Sequence, residues 1–126
     1  MDIIISNSSD KPIYEQITVQ IKTMVMNGRL KEGDLLPSMR TLAKELRVSV
    51  ITTKRAYEDL ERDGFITTVV GKGSFVKAAD TSLMREEKLK QIEELLSKAV
   101  ELAGQSGISR DELEEIIEIL YQETQA

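Results

Sequence analysis

The tightest constraint on this chain is its punctuation. Between Glu32 and Val76 it reads EGDLLPSMRTLAKELRVSVITTKRAYEDLERDGFITTVVGKGSFV, with helix starters and stoppers at short intervals. Ser38 opens an apolar set at helical spacing, Met39, Leu42, Ala43 and Leu46. Arg47 and Val48 make a turn, and Ser49 is a natural N-cap for a second helix running to about Asp63. Gly64 supplies the left-handed residue that ends it. FITTVV and SFVK then read as β-runs joined through Gly71-Lys72-Gly73, a hairpin connection. Two short helices held at an angle and followed by a ribbon make a helix-turn-helix with a wing, a shape that fits the major groove of DNA.

Side-chain chemistry along this stretch agrees. Ser38 is a helix cap, and its hydroxyl and the free N–H groups beside it also suit a phosphate. Arg40 sits in the first turn, where a cation opposes the helix dipole by less than about 1 kcal/mol, so a DNA contact explains it better than stability does. The second helix buries Thr53, Ala56, Tyr57 and Leu60, which leaves Val50, Ile51, Lys54, Arg55 and Glu58 outward. Val50 and Ile51 suit thymine methyl groups, the alternative being padding in a protein interface. Ser49 caps this reading helix, Thr52 reaches a base or a phosphate, and Lys54 and Arg55 neutralise phosphates or read guanine. Gly71, Lys72 and Gly73 bring backbone and one ammonium to a minor groove; they lack the length and following helix of a P-loop.

Composition removes most other chemistry. The 126 residues include no Cys and no His, which excludes disulfides, zinc fingers, thiol nucleophiles and imidazole catalysis. No calcium-loop pattern, signal peptide or long apolar run occurs, so no cofactor, metal or membrane partner is expected, and the location expected is cytoplasmic. The net charge of −5 is unevenly spread. Residues 1–80 hold 12 Lys and Arg against 11 Asp and Glu, residues 81–126 hold 5 against 11, and Ser38 to Tyr57 holds five cations against Glu45 alone. Local potential governs the approach of phosphate, and the acidic excess lies in the tail.

Before the motif, Asp2 to Ser6 reads as a short strand or an apolar arm. Pro12 starts a helix carrying Ile13, Ile17, Ile21, Met24 and Val25 on one side as far as Gly28, core-facing support with Tyr14 as part of the core or of an interface. Lys31 to Pro37 reads as a loop, Phe65, Phe75 and Val76 as core residues that pin the wing, and Lys77 to Ser82 as a polar link. The tail, residues 82–126 after a DNA-binding domain of residues 1–78, is a two-helix hairpin. Leu83, Leu89, Ile92, Leu95, Leu96, Ala99, Val100 and Leu102 line its first helix, and a break spans Gly104 to Gly107. Ser109 and Glu112 form a capping box for the second helix, which carries Leu113, Ile116, Ile117 and Leu120. Such a hairpin is too small to bury both stripes alone, so dimerisation through Leu89, Ile92, Leu96, Val100, Leu113, Ile116, Ile117 and Leu120 is expected, the alternative being an intramolecular cap.

The ordered set Gly33, Leu36-Pro37-Ser38, Arg40, Leu42-Ala43, Val48-Ser49, Gly64, Gly71, Gly73 and Phe75-Val76 resembles the winged helix-turn-helix of GntR-type bacterial regulators over Lys11 to Lys77. The family commonly has Gly where Arg47 stands, Ser-Arg-Thr-Thr where Ser49-Val50-Ile51-Thr52 stands, and Arg where Lys54 stands. A two-helix tail is similar to the short YtrA-type branch. That resemblance implies a homodimeric repressor, often of transporter genes, on an inverted-repeat operator of double-stranded DNA with GT and AC steps in its half-sites. An unidentified small-molecule effector would act by shifting the spacing of the two reading heads. The rivals are a protein-binding winged-helix adaptor, which has no use for the cationic cluster, and an enzyme, which lacks a nucleophile–base pair.

Overall fold

The computed structural model describes residues 1–77 and 82–125. In order these form α1 (Ile13–Met26), α2 (Met39–Leu46), α3 (Val50–Arg62), β1 (Ile66–Val69), β2 (Gly73–Val76), α4 (Ser82–Ser106) and α5 (Arg110–Gln125). The fold is mainly α with a small β wing, as expected. The chain separates into two compact units, Met1–Asp80 and Thr81–Ala126. Residues 78–81 of the expected link, residue 126 and the side chains of Leu83 and Gln125 lie outside the described residues.

In the first unit α3 packs on both α1 and α2. Ile17 and Ile21 of α1, Leu42 and Ala43 of α2, and Ala56, Tyr57 and Leu60 of α3 are buried together with Phe65, Ile66 and Val76. Each large aliphatic side chain so enclosed stabilises the unit by about 1.5–3 kcal/mol. Two hydroxyls bind the motif internally. Thr53 Oγ1 donates to the carbonyls of Met39 (2.9 Å) and Val50 (3.0 Å), which sets the start of α2 against α3. Tyr57 Oη donates to the carbonyl of Pro37 at 2.7 Å, and burial, with the Glu45 charge adding to it, raises its pKa and keeps it a donor.

The turn between α2 and α3 is hydrogen-bonded throughout. Val48 N–H donates to the Ala43 carbonyl (3.0 Å) and Arg47 N–H to that of Lys44 (3.3 Å), a Schellman end to α2. Arg47 occupies its left-handed position at φ 57°, ψ 45°, where a non-glycine residue costs about 1–2 kcal/mol. At the end of α3 the same role falls to Gly64, φ 82°.

Two segments depart from the sequence-based expectation. Lys31 to Pro37 is more than a loop: Gly33 N–H donates to Val76 O (2.8 Å), Val76 N–H to Asp34 O (2.9 Å) and Leu36 N–H to Ser74 O (2.9 Å). A bridge at Leu35–Phe75 thus covers the outer edge of the β1–β2 ribbon, whose register runs from Ile66–Val76 to Val69–Gly73. A Cβ on Gly73 would sit 3.1 Å from Leu35 Cδ1, so the approach of this segment favours glycine there. Phe75, expected in the core, is only half-buried, because the strand pleat turns Ser74 and Val76 inward instead.

The first residues form an arm rather than a strand. Ile4 exchanges two hydrogen bonds with the Gln20 amide (2.9 and 2.7 Å), and Ser6 exchanges two with the Gln16 amide (2.9 and 3.0 Å). Two glutamines one helical turn apart thus take the place of a neighbouring strand, while Ile3 is buried.

In the second unit α4 and α5 form the expected hairpin, but the break is shorter. Helix α4 runs through Gly104 to Ser106, since one interior glycine costs only about 1 kcal/mol relative to alanine and does not stop a 25-residue helix. It ends at Gly107, with Ile108 N–H donating to Ala103 O at 2.9 Å. The capping box of α5 forms: Ser109 N–H donates to Glu112 Oε2 (3.1 Å) and Glu112 N–H to Ser109 Oγ (3.2 Å). Ala103 is buried and Leu113 and Ile117 are half-buried, whereas Leu89, Ile92, Leu96, Val100, Ile116 and Leu120 stay exposed. Between the helices lies a groove of about 500 Å³, lined mainly by Leu96, Val100, Ala103, Ile108, Leu113 and Ile117.

Candidate nucleic-acid interface

Capping chemistry fixes the starts of α2 and α3 in the same way. Ser38 Oγ accepts from Thr41 N–H (3.0 Å) and donates to Thr41 Oγ1 (2.8 Å). Ser49 Oγ accepts from Thr52 N–H (3.2 Å) and shares a hydrogen bond with Thr52 Oγ1 (2.9 Å). Each cap contributes about 1 kcal/mol and leaves its serine exposed at a helix N-terminus. Thr52 is half-buried and its hydroxyl already has this partner.

With Thr53, Ala56, Tyr57 and Leu60 turned inward, α3 presents Ile51, Lys54, Arg55 and Glu58 outward. Ile51 is 80% exposed and Val50 43%. The Thr53–Met39 hydrogen bond brings the Ser38 and Arg40 turn beside this end of α3. On the wing, Gly71, Lys72 and Gly73 are exposed, and Lys72 N–H closes the tip on Val69 O at 2.9 Å.

Charge is segregated along α3. At its C-terminal end Lys22 bonds Asp63 at 2.8 Å, and Arg62 lies 3.1 Å from Asp59 and 3.6 Å from Asp63. The hydrogen bond from Lys22 above all holds the Asp63 carboxyl below the usual carboxylate range, against a smaller opposing effect of burial. By contrast, among the described residues Arg40, Lys44, Arg47, Lys54, Arg55 and Lys72 have no carboxylate within ion-pair distance. Exposed cations without carboxylate partners generate a local positive potential despite the acidic total.

Sequence reasoning missed two features here. Arg55 lies over the ring of Tyr14, with its guanidinium carbon 3.8 Å from the centroid and Nη2 donating to Tyr14 Oη at 3.2 Å. Their separation of 41 positions in the chain hides the pair; the one clue was an aromatic side chain early in α1. Val70, 97% exposed at the wing tip, is the other, visible only as the apolar residue before Gly71. No helix among the described residues is long and apolar enough to cross a membrane, and no acidic cluster among them is placed to hold a metal.

Two linked helices with an exposed cationic start and a glycine-tipped ribbon define a winged-helix protein of the DNA-binding class. The model for bacterial regulatory proteins of the gntR family matches residues 13–76, and the chain belongs to this family of DNA-binding transcription regulators. It is similar to the HTH-type transcriptional repressor YtrA of Bacillus subtilis (strain 168), 37% identical over 109 residues, 86% of this chain and 84% of that one. Among solved structures, YtrA from Sulfolobus acidocaldarius, a GntR-family transcription factor, is 38% identical with a TM-score of 0.60, covering 71% of this chain and 95% of that one. The AraR DNA-binding domain in complex with operator ORE1 is 25% identical with a TM-score of 0.51, covering 60% of this chain and 93% of that one.

Proposed function

We propose that the chain is a cytoplasmic homodimeric repressor of an operon, with transporter genes the regulated class, acting on an inverted-repeat operator. Residues 1–78 are the reading domain and residues 82–126 the dimerisation tail. Each protomer places Val50, Ile51, Thr52, Lys54 and Arg55 in a major groove, with Ser49 capping that helix. Ser38 and Arg40 lie on the flanking backbone, and Gly71, Lys72 and Gly73 at the neighbouring minor groove. The observation that carries this reading is the unneutralised cationic start of α3 with Ile51 standing free on it. An exposed isoleucine costs free energy in water and regains it against thymine methyl groups. Leu89, Ile92, Leu96, Val100, Leu113, Ile116, Ile117 and Leu120 supply the apolar surface for the two-fold contact, which an inverted repeat requires. An effector would act by changing how far apart the two reading heads stand.

The test is binding of genomic fragments, selected from the source organism, as a function of salt. Arg40→Ala and Lys54→Ala should each weaken binding and reduce the slope of log K against log salt by about 0.9 for each phosphate that is no longer neutralised. Unchanged affinity and slope in both variants would remove the docking model. DNA retention that ignores salt altogether would favour the protein-binding adaptor.

A further inference from the structure

We propose that Tyr14 is a positioning residue for DNA recognition, holding Arg55 as a pre-oriented clamp for a phosphate at the edge of the reading face. The inference rests on the docking model above. Arg55 follows Ile51 by one helical turn, so both lie on the outward side of α3. Its guanidinium has two observed partners, the face of the Tyr14 ring (3.8 Å) and the Tyr14 hydroxyl (3.2 Å). Neither carries a charge. The stack therefore restrains the side chain without consuming its cation, and a single hydrogen bond leaves most of the guanidinium's five donors for a ligand.

Arg62, on the same helix, shows the alternative. It lies within ion-pair distance of Asp59 and Asp63, which offset its charge at the protein surface. A contact meant only to hold α1 against α3 already exists in that form, since Lys22 of α1 reaches Asp63 at 2.8 Å. An aromatic partner instead suits an arginine that must meet an anion from outside, because ordering it beforehand removes part of the entropy cost of binding. A diester oxygen approaching the free edge of the stacked guanidinium would receive a charge-assisted hydrogen bond in a fixed direction.

The experiment is a double-mutant cycle on the full-length chain, read as affinity for a selected genomic duplex across a salt series, with melting temperatures alongside. Arg55→Ala should lower affinity and reduce the salt slope by about 0.9. Tyr14→Leu should weaken binding about two- to fivefold, the size of an exposed cation–π contact, and leave the slope unchanged. In an Arg55→Ala background, Tyr14→Leu should have no effect on DNA affinity. Tyr14→Phe, which keeps the stack and loses the hydrogen bond, should fall between the parent and Tyr14→Leu and serves if the leucine variant fails to fold.

Losses that simply add, or a folded Tyr14→Leu that binds like the parent, would overturn the positioning role. So would a folded Tyr14→Phe that equals the parent where the leucine variant cannot be made. Lys54→Ala separates the clamp from the docking model. If it weakens binding while Arg55→Ala does not, the clamp alone fails; if neither matters, the docking model fails with it.

Discussion

In the first unit the apolar sides of α1, α2 and α3 meet at Ile17, Ile21, Leu42 and Leu60, all within 1% exposure; in the second, Leu89, Ile92, Leu96 and Val100 keep 43–60%. Both sets come from helices with the same three- and four-residue apolar spacing. The difference is enclosure. Three helices and a ribbon surround a centre, and two antiparallel helices cannot. Identical patterning therefore means a core in one place and an exposed apolar surface in the other.

Matched truncations break or sharpen this contrast most directly. Leu60→Ala should cost about 2–5 kcal/mol of stability, independent of protein concentration, because it leaves a cavity in a closed core. Leu96→Ala should cost less, and its melting temperature should rise with protein concentration if a second copy covers α4. Equal, concentration-independent losses in thermal melts would erase the distinction. Charging the tail stripe comes next: Leu96→Glu with Val100→Glu should yield monomers by sedimentation and lower operator affinity by about 100-fold, the scale of lost bivalency. A dimer that survives both carboxylates would place the interface elsewhere.

Within the first unit, the two Schellman ends provide a smaller test. Arg47→Gly should stabilise the fold by about 0.5–1 kcal/mol, since relief of left-handed strain exceeds the added chain entropy. Because Arg47 is an exposed cation with no carboxylate partner among the described residues and lies beside the start of α3, the same change should also weaken DNA binding if the proposed docking holds. A variant both more stable and equally tight would assign no DNA role to Arg47.

The smallest effect concerns pH. Asp63 has a folded pKa below its unfolded value, so its ion pair with Lys22 stabilises the protein above the ordinary carboxylate range and is lost as pH falls through the folded value. Asp63→Asn should flatten the fall of stability as the pH drops through and below the ordinary carboxylate range, while changing DNA affinity little. A steeper acid transition in the variant would contradict the assignment.

Much of this was legible in the sequence because the signals are local. Ser38 and Ser49 announce helix starts within three residues of their partners, Gly64 marks an end, and Gly71-Lys72-Gly73 marks a ribbon tip. The boundary of α4 was misjudged because glycine is permissive: Gly104 lies inside the helix and Gly107 ends it, and only the backbone angle distinguishes them. The edge formed by Gly33 to Leu36 and the Tyr14–Arg55 stack were not legible, since each joins segments about 40 residues apart and neither carries a periodic pattern.

The glutamine clasp on the N-terminal arm depends on an amide's double nature, one group that gives and one that takes. Gln16 gives to Ser6 and Lys11 through its nitrogen while taking from Ser6 through its oxygen. Gln16→Glu would keep the outline and lose the giving half whenever the acid is ionised, setting an anion against two carbonyls. Gln20 would still clasp Ile4 and Ile3 would stay buried, so the loosening at neutral pH would be confined to the Ser6 and Lys11 carbonyls, one of which would be regained in acid through the single carboxyl proton.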